Sequence, residues 1–132
     1  MLRRLGDVNQ TLPPAIYEEG GDYVLNVSLT ANQVANRQPV QIDPDSDFEL
    51  HGIVGSSTST YTLTIRHYNG RAMQSAQVKN TNLVGTPSAP SPLLVPSVYP
   101  AGSVLSVDLT DTSGAGNDVQ LIFKGVRRYR SR

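Results

Sequence analysis

Residues 61–65 read Tyr-Thr-Leu-Thr-Ile, apolar and hydroxyl side chains in strict alternation. A period of two is what a strand with one buried and one wet face requires, because successive side chains leave a pleated backbone on opposite sides. The pattern recurs. Tyr23, Leu25, Val27 and Leu29 alternate with Val24, Asn26, Ser28 and Thr30. Leu105, Val107 and Leu109 alternate with Ser106, Asp108 and Thr110, and Val119, Leu121 and Phe123 share one face of a last strand. Weaker segments end at Val40 and Ile42 and run from Phe48 and Leu50 to Val54. No stretch carries a 3.6-residue period with caps over ten residues. The reading is all-β: about seven or eight short antiparallel strands packed as a β-sandwich of jelly-roll type.

Punctuation between the strands supports this. Asn69-Gly70 is a strong hairpin signal, with a return strand expected over residues 71–78. Residues 85–100 hold five prolines, at 87, 90, 92, 96 and 100, and read as a long stiff connection, since proline cannot donate to a ladder. Residues 111–118 are a turn by composition. The last strand, over residues 119–124, is free to continue past Gly125 to Tyr129. Residues 1–22 show poor periodicity, with Pro13-Pro14 and Gly20-Gly21, and read as an extended N-terminal arm ahead of a sandwich domain over residues 23–132.

Composition narrows the function. There are 132 residues and no cysteine, so disulfides and thiolate metal sites are excluded and one hydrophobic core must hold the fold. Eleven basic residues balance eleven acidic ones, which argues against a general nucleic-acid binder. The basic groups crowd the C-terminal end: Lys124, Arg127, Arg128, Arg130 and Arg132, with Arg3 and Arg4 near the start. That end is expected to meet an acidic protein surface, a nucleic acid or solvent. No apolar run approaches the ~18 residues of a membrane helix. No secretory signal is read after Arg3 and Arg4, so Asn9-Gln10-Thr11 and Asn26-Val27-Ser28 carry no meaning as glycosylation acceptors, and a cytoplasmic product is expected.

Signals for chemistry are weak. The acids Asp43, Asp45, Asp47 and Glu49 space oxygen ligands like the start of a calcium loop, but Phe48 stands where that loop needs glycine and Val54 where it needs a bidentate glutamate. A solvated turn is expected instead. His51 and His67 are the two histidines, and no serine sits in a G-x-S-x-G elbow. Gly114-Ala115-Gly116 lacks the helix and lysine of a phosphate loop. Pro87 to Pro90 makes one P-x-x-P, read as part of a rigid crossover. No enzyme, metal or cofactor is expected.

Several blocks in order carry a resemblance. They are residues 47–53 (Asp-Phe-Glu-Leu-His-Gly-Ile), 61–65, the Gly70-Arg71 hairpin, 82–85 (Asn-Leu-Val-Gly), 99–103 (Tyr-Pro-Ala-Gly-Ser), 107–111, 113–117 and 123–127. Over roughly residues 40–130 the set resembles small virion proteins of tailed bacteriophages, of the capsid cement or head-decoration type. The resemblance implies a jelly-roll sandwich, oligomers at symmetry axes of the shell, and contact with the major capsid protein, on a virion made in a bacterial cytoplasm. The expected function is binding the outside of a phage capsid and bridging neighbouring coat subunits. A head–tail connector or tail-associated role is the first alternative, and a carbohydrate-binding sandwich the second. The partner-binding residues expected are Leu5, Leu12, Pro13, Pro14, Ile16 and Tyr17 in the arm and Arg127, Arg128 and Arg130 at the basic end. Homodimers or trimers and the coat protein are the expected partners, with no membrane and no nucleic acid.

Overall fold

A computed structural model describes residues 16–89 and 91–130. Its elements in chain order are β1 (Ile16–Leu29), β2 (Val34–Gln41), β3 (Ser46–Ser57), β4 (Tyr61–Arg66), β5 (Val78–Lys79), a one-turn α1 (Asn80–Leu83), β6 (Ser91–Tyr99), β7 (Val104–Asp111) and β8 (Asn117–Arg130). The strands form two four-stranded antiparallel sheets, in the orders β1-β8-β3-β6 and β2-β7-β4-β5. The chain is therefore all-β, consistent with a β-sandwich, as the alternation requires. Among the described residues no helix is long and apolar enough to cross a membrane.

The alternating residues meet between the sheets. Phe48, Leu50, Ile53, Leu121 and Phe123 face Leu63, Ile65, Leu105, Val107 and Leu109, and all are fully buried. Each such side chain contributes about 1.5–3 kcal/mol of burial. A tyrosine stitches each flank. Tyr23, edge-on to Phe48 at 4.8 Å, accepts at its hydroxyl from the Asp43 backbone N–H at 3.0 Å. Tyr99 donates to the Arg66 carbonyl at 2.8 Å, tying β6 to the end of β4. Burial pushes both tyrosine hydroxyls upward in pKa.

Three expectations need correction. Residues 16–22, the expected end of an arm, form the first half of β1, paired with β8 rung for rung from Ile16↔Arg130 to Asp22↔Lys124. The rest of that arm lies outside the described residues. The proline-rich connection contains a strand, β6, at the edge of its sheet, the place in a sheet where proline is tolerated. Its pairing with β3 breaks between Leu50 and Gly52, so residues 93–96 leave the ladder. The return strand after Asn69-Gly70 shrinks to an isolated bridge at Ala72 and the two residues of β5. The turn is a three-residue loop: Gly70 N–H donates to His67 O at 2.9 Å, His67 N–H donates to Arg71 O at 2.8 Å, and Gly70 takes φ +88°. Glutamines then substitute for the missing ladder, Gln74 Oε1 accepting from Ile65 N–H at 2.9 Å and Gln77 Oε1 from the Thr62 hydroxyl at 2.8 Å.

Candidate partner-binding surface

The expected site residues came from the two ends of the sequence, and the antiparallel pairing of β1 with β8 puts several at one end of one sheet. Tyr17 opposes Tyr129, Glu18 opposes Arg128 and Glu19 opposes Arg127. Ile16 and Arg130 form the first rung. Leu5, Leu12, Pro13 and Pro14 lie outside the described residues.

Odd residues of β1 face the second sheet, yet Tyr17 is 61% exposed and Glu19 is exposed too. At this end the first sheet overhangs the second, and its inner face meets solvent. The Tyr17 and Tyr129 rings lie 5.6 Å apart there, tilted by 41°. Glu19 sits between them and accepts from both hydroxyls, at 3.2 Å from Tyr17 and 3.3 Å from Tyr129. Its hydrogen bond and charge raise the Tyr17 hydroxyl above its ordinary value. The result is an aromatic ledge with a carboxylate in its middle.

The basic end is not a free cluster of positive charge. Arg127 Nη1 bonds Asp43 Oδ2, and its Nη2 donates to the Asp22 carbonyl at 3.1 Å. Its stem crosses Gly21, where a Cβ would lie 2.5 Å from Arg127 Nε, so a side chain there would evict it. On the opposite face Arg128 bonds Glu18 Oε2 at 2.8 Å and Glu49 Oε1 at 2.7 Å. The hydrogen bond that Arg128 donates to Glu18 leads the interactions that raise its pKa. Lys124 pairs with Asp22 at 3.1 Å. Sequence reasoning missed these pairs because Glu18 and Glu49 lie far from Arg128 in the chain and on other strands. Only the register brings them together.

The other chemical signals disperse. Asp43 and Glu49 are engaged with arginine, and Asp47 Oδ1 accepts from Ala101 N–H at 2.9 Å. Among the described residues no three histidine, aspartate or glutamate groups gather as a metal would need. His51 contacts Glu49 at 3.1 Å on the first sheet, whereas His67 contacts Ser97 at 3.0 Å beside the β4 hairpin. The carboxylate contact and the serine contact thus belong to different histidines, and a Ser-His-acid relay needs one histidine holding both. The 113–116 turn serves Asp111, which accepts from the Ser113 hydroxyl at 2.6 Å, Asn32 N–H at 2.8 Å and Gly114 N–H at 3.0 Å.

The chain matches no family model, no curated protein and no solved structure. The surface itself must therefore carry the functional argument. Open grooves exist, one lined by Asn26, Ser28, Ser56, Thr58, Asp118 and Gln120, another by His67, Met73, Leu93, Val95 and Ser97. Neither gathers a nucleophile, a base and an orienting acid.

Proposed function

We propose that this protein is a jelly-roll structural component of a tailed-phage virion. In this reading it binds the outside of the capsid and bridges neighbouring major capsid protein subunits. The strand orders carry the reading. Two sheets ordered 1-8-3-6 and 2-7-4-5 are what a doubly wound pair of Greek keys produces, an architecture common in capsid and lectin domains. The dispersed histidines and arginine-paired acids accord with a protein that works through surfaces.

The ledge of Tyr17 and Tyr129 is the contact in this reading. Tyrosine brings large rigid area at low entropic cost, and Tyr17 follows closely in sequence on Leu12, Pro13 and Pro14. Arg127 and Arg128 hold the ledge in shape through their intramolecular pairs. Many copies on a symmetric shell make individually weak contacts add up.

The test is co-sedimentation of the purified chain with heads assembled from its phage's major capsid protein, followed by counting copies per particle. A copy number that scales with coat subunits supports decoration. A single ring per particle replaces it with the connector reading, and no association rejects both. Alanine at Leu12, Ile16 and Tyr17 together is expected to lower occupancy with the isolated fold intact. Unchanged occupancy removes these residues from the contact.

A further inference from the structure

A sheet edge exposes unpaired N–H and C=O groups and templates pairing, so proteins blunt their edges. Among the described residues β1, β6, β2 and β5 are the edge strands. Three are blunted. β6 carries Pro92 and Pro96 and loses register opposite β3. β2 carries Pro39 and a bulge between Ala35 and Gln38, with Arg37 at φ +52°. β5 is two residues long. β1 is blunted in none of these ways: it runs fourteen residues in unbroken register with β8 and contains no proline, no bulge and no lysine.

We infer that β1 pairs with β1 of a second copy, antiparallel, about a two-fold axis at Val24. The outer face of the first sheet supplies the reason for that register. Val54, Ile122 and Val24 stand opposite one another across β3, β8 and β1, an apolar row that ends at the free edge with Val24 50% exposed. A two-fold axis at Val24 carries the row straight into the second copy, since an isologous contact sets each residue against its symmetry mate. Charge fits the same register. Asp22 then opposes Asn26 of the second copy, Gly20 opposes Ser28 and Glu18 opposes Thr30, so no acid meets an acid. An axis at Asp22 would set that carboxylate against itself, and one at Gly20 would set Glu18 against Asp22. Like charges directly opposed are destabilising. On the inner face Tyr23 meets Leu25 of the second copy. The Asp22 carbonyl, which accepts from Arg127 Nη2, keeps a second lone pair for the new ladder.

This inference stands apart from capsid binding and is tested on the purified full-length chain. Its mass in solution at micromolar concentration is expected to be twice that of the 14.2 kDa chain. Val24→Lys is expected to return it to a single chain with an unchanged circular dichroism spectrum. The sequence has no cysteine, so Val24→Cys tests the axis directly. Directly opposed strand residues lie about 4.5–5.5 Å apart at Cα, within disulfide reach. Val24→Cys is expected to cross-link under mild oxidation and Val34→Cys, an equally exposed valine on β2, is not. A single-chain mass for the unaltered protein overturns the inference, whether the edge is bare or covered by residues 1–15 of the same chain. So does any other oligomer mass, or a Val24→Cys variant that fails to cross-link.

Discussion

The Arg127 guanidinium lies over the Tyr23 ring, 4.2 Å from its centroid. The same guanidinium reaches Asp43 and the Asp22 carbonyl, so one side chain from β8 clamps β1 and the β2–β3 connection together. Its side chain is only 19% exposed. Arg127→Ala is expected to cost about 1–3 kcal/mol through lost cation–π contact, packing and hydrogen bonds. Arg128→Ala removes a more exposed guanidinium and should cost under about 1 kcal/mol. Urea melts of the two variants check the order, and equal losses would show that Arg127 is no clamp.

Asp108 anchors the bulge in β2. It accepts from Arg37 N–H at 2.8 Å and from Arg66 Nη2 at 2.6 Å. Arg37 pays for this with a left-handed backbone, φ +52°. That conformation costs a non-glycine residue about 1–2 kcal/mol, and glycine's extra unfolded-state entropy is about 0.5–1 kcal/mol. Arg37→Gly is therefore expected to stabilise by about 0.5–1 kcal/mol. Asp108→Ala takes the acceptor from the Arg37 N–H and leaves Arg66 with its bond to the Gly70 carbonyl alone, and is expected to destabilise. Chemical denaturation of both variants tests the opposite signs.

Gly125 sits in the middle of β8, facing the bulge of β3. A Cβ there would lie 2.0 Å from the Glu49 carbonyl oxygen and 2.9 Å from the Phe48 ring. Backbone and a fully buried ring cannot both yield, so Gly125→Ala is expected to cost about 3 kcal/mol. A Cβ at Gly20 meets nothing within 4 Å, and Gly20→Ala is expected to be neutral or mildly stabilising. The difference in thermal midpoint between the two is the measurement.

Acid stability should report Asp111 and Asp108. Hydrogen bonds from Ser113 and from Asn32 N–H hold the Asp111 carboxyl well below the usual carboxylate range. Burial alone would raise Asp108, but Arg66 and the Arg37 N–H more than offset it and its value is lowered. With folded values below unfolded ones, the unfolded chain binds protons first as pH falls. Stability from these groups is complete above about pH 5, and declines as pH drops below about 4 towards the folded values. Asp111→Asn is expected to flatten that decline while lowering the midpoint at neutral pH. Melting curves over this range decide it, and an unchanged slope would mean that Asp111 is not the titrating group.

The alternation over residues 23–29, 61–65, 105–109 and 119–123 was legible because side-chain direction is a local property of a strand. It identified the all-β class and much of the core, including Leu63, Ile65, Leu121 and Phe123. The glycine at 70 marked its turn for the same local reason. Residues 16–22 were not legible as strand. Their inner-face residues Tyr17 and Glu19 lie where the second sheet gives no cover, so burial imposes no apolar period on Ile-Tyr-Glu-Glu-Gly-Gly-Asp. What makes that segment a strand is the far end of the chain, β8, lying beside it.

The sequence alone thus determined which segments are strands with a buried face, since that depends on each residue and its second neighbour. The tertiary structure decided which strands are neighbours, which of the described strands stand at the sheet edges, and that Arg127 and Arg128 are engaged by acids from elsewhere in the chain. Those outcomes depend on pairings between residues as far apart in the chain as Ile16 and Arg130, set by the joint packing of two sheets.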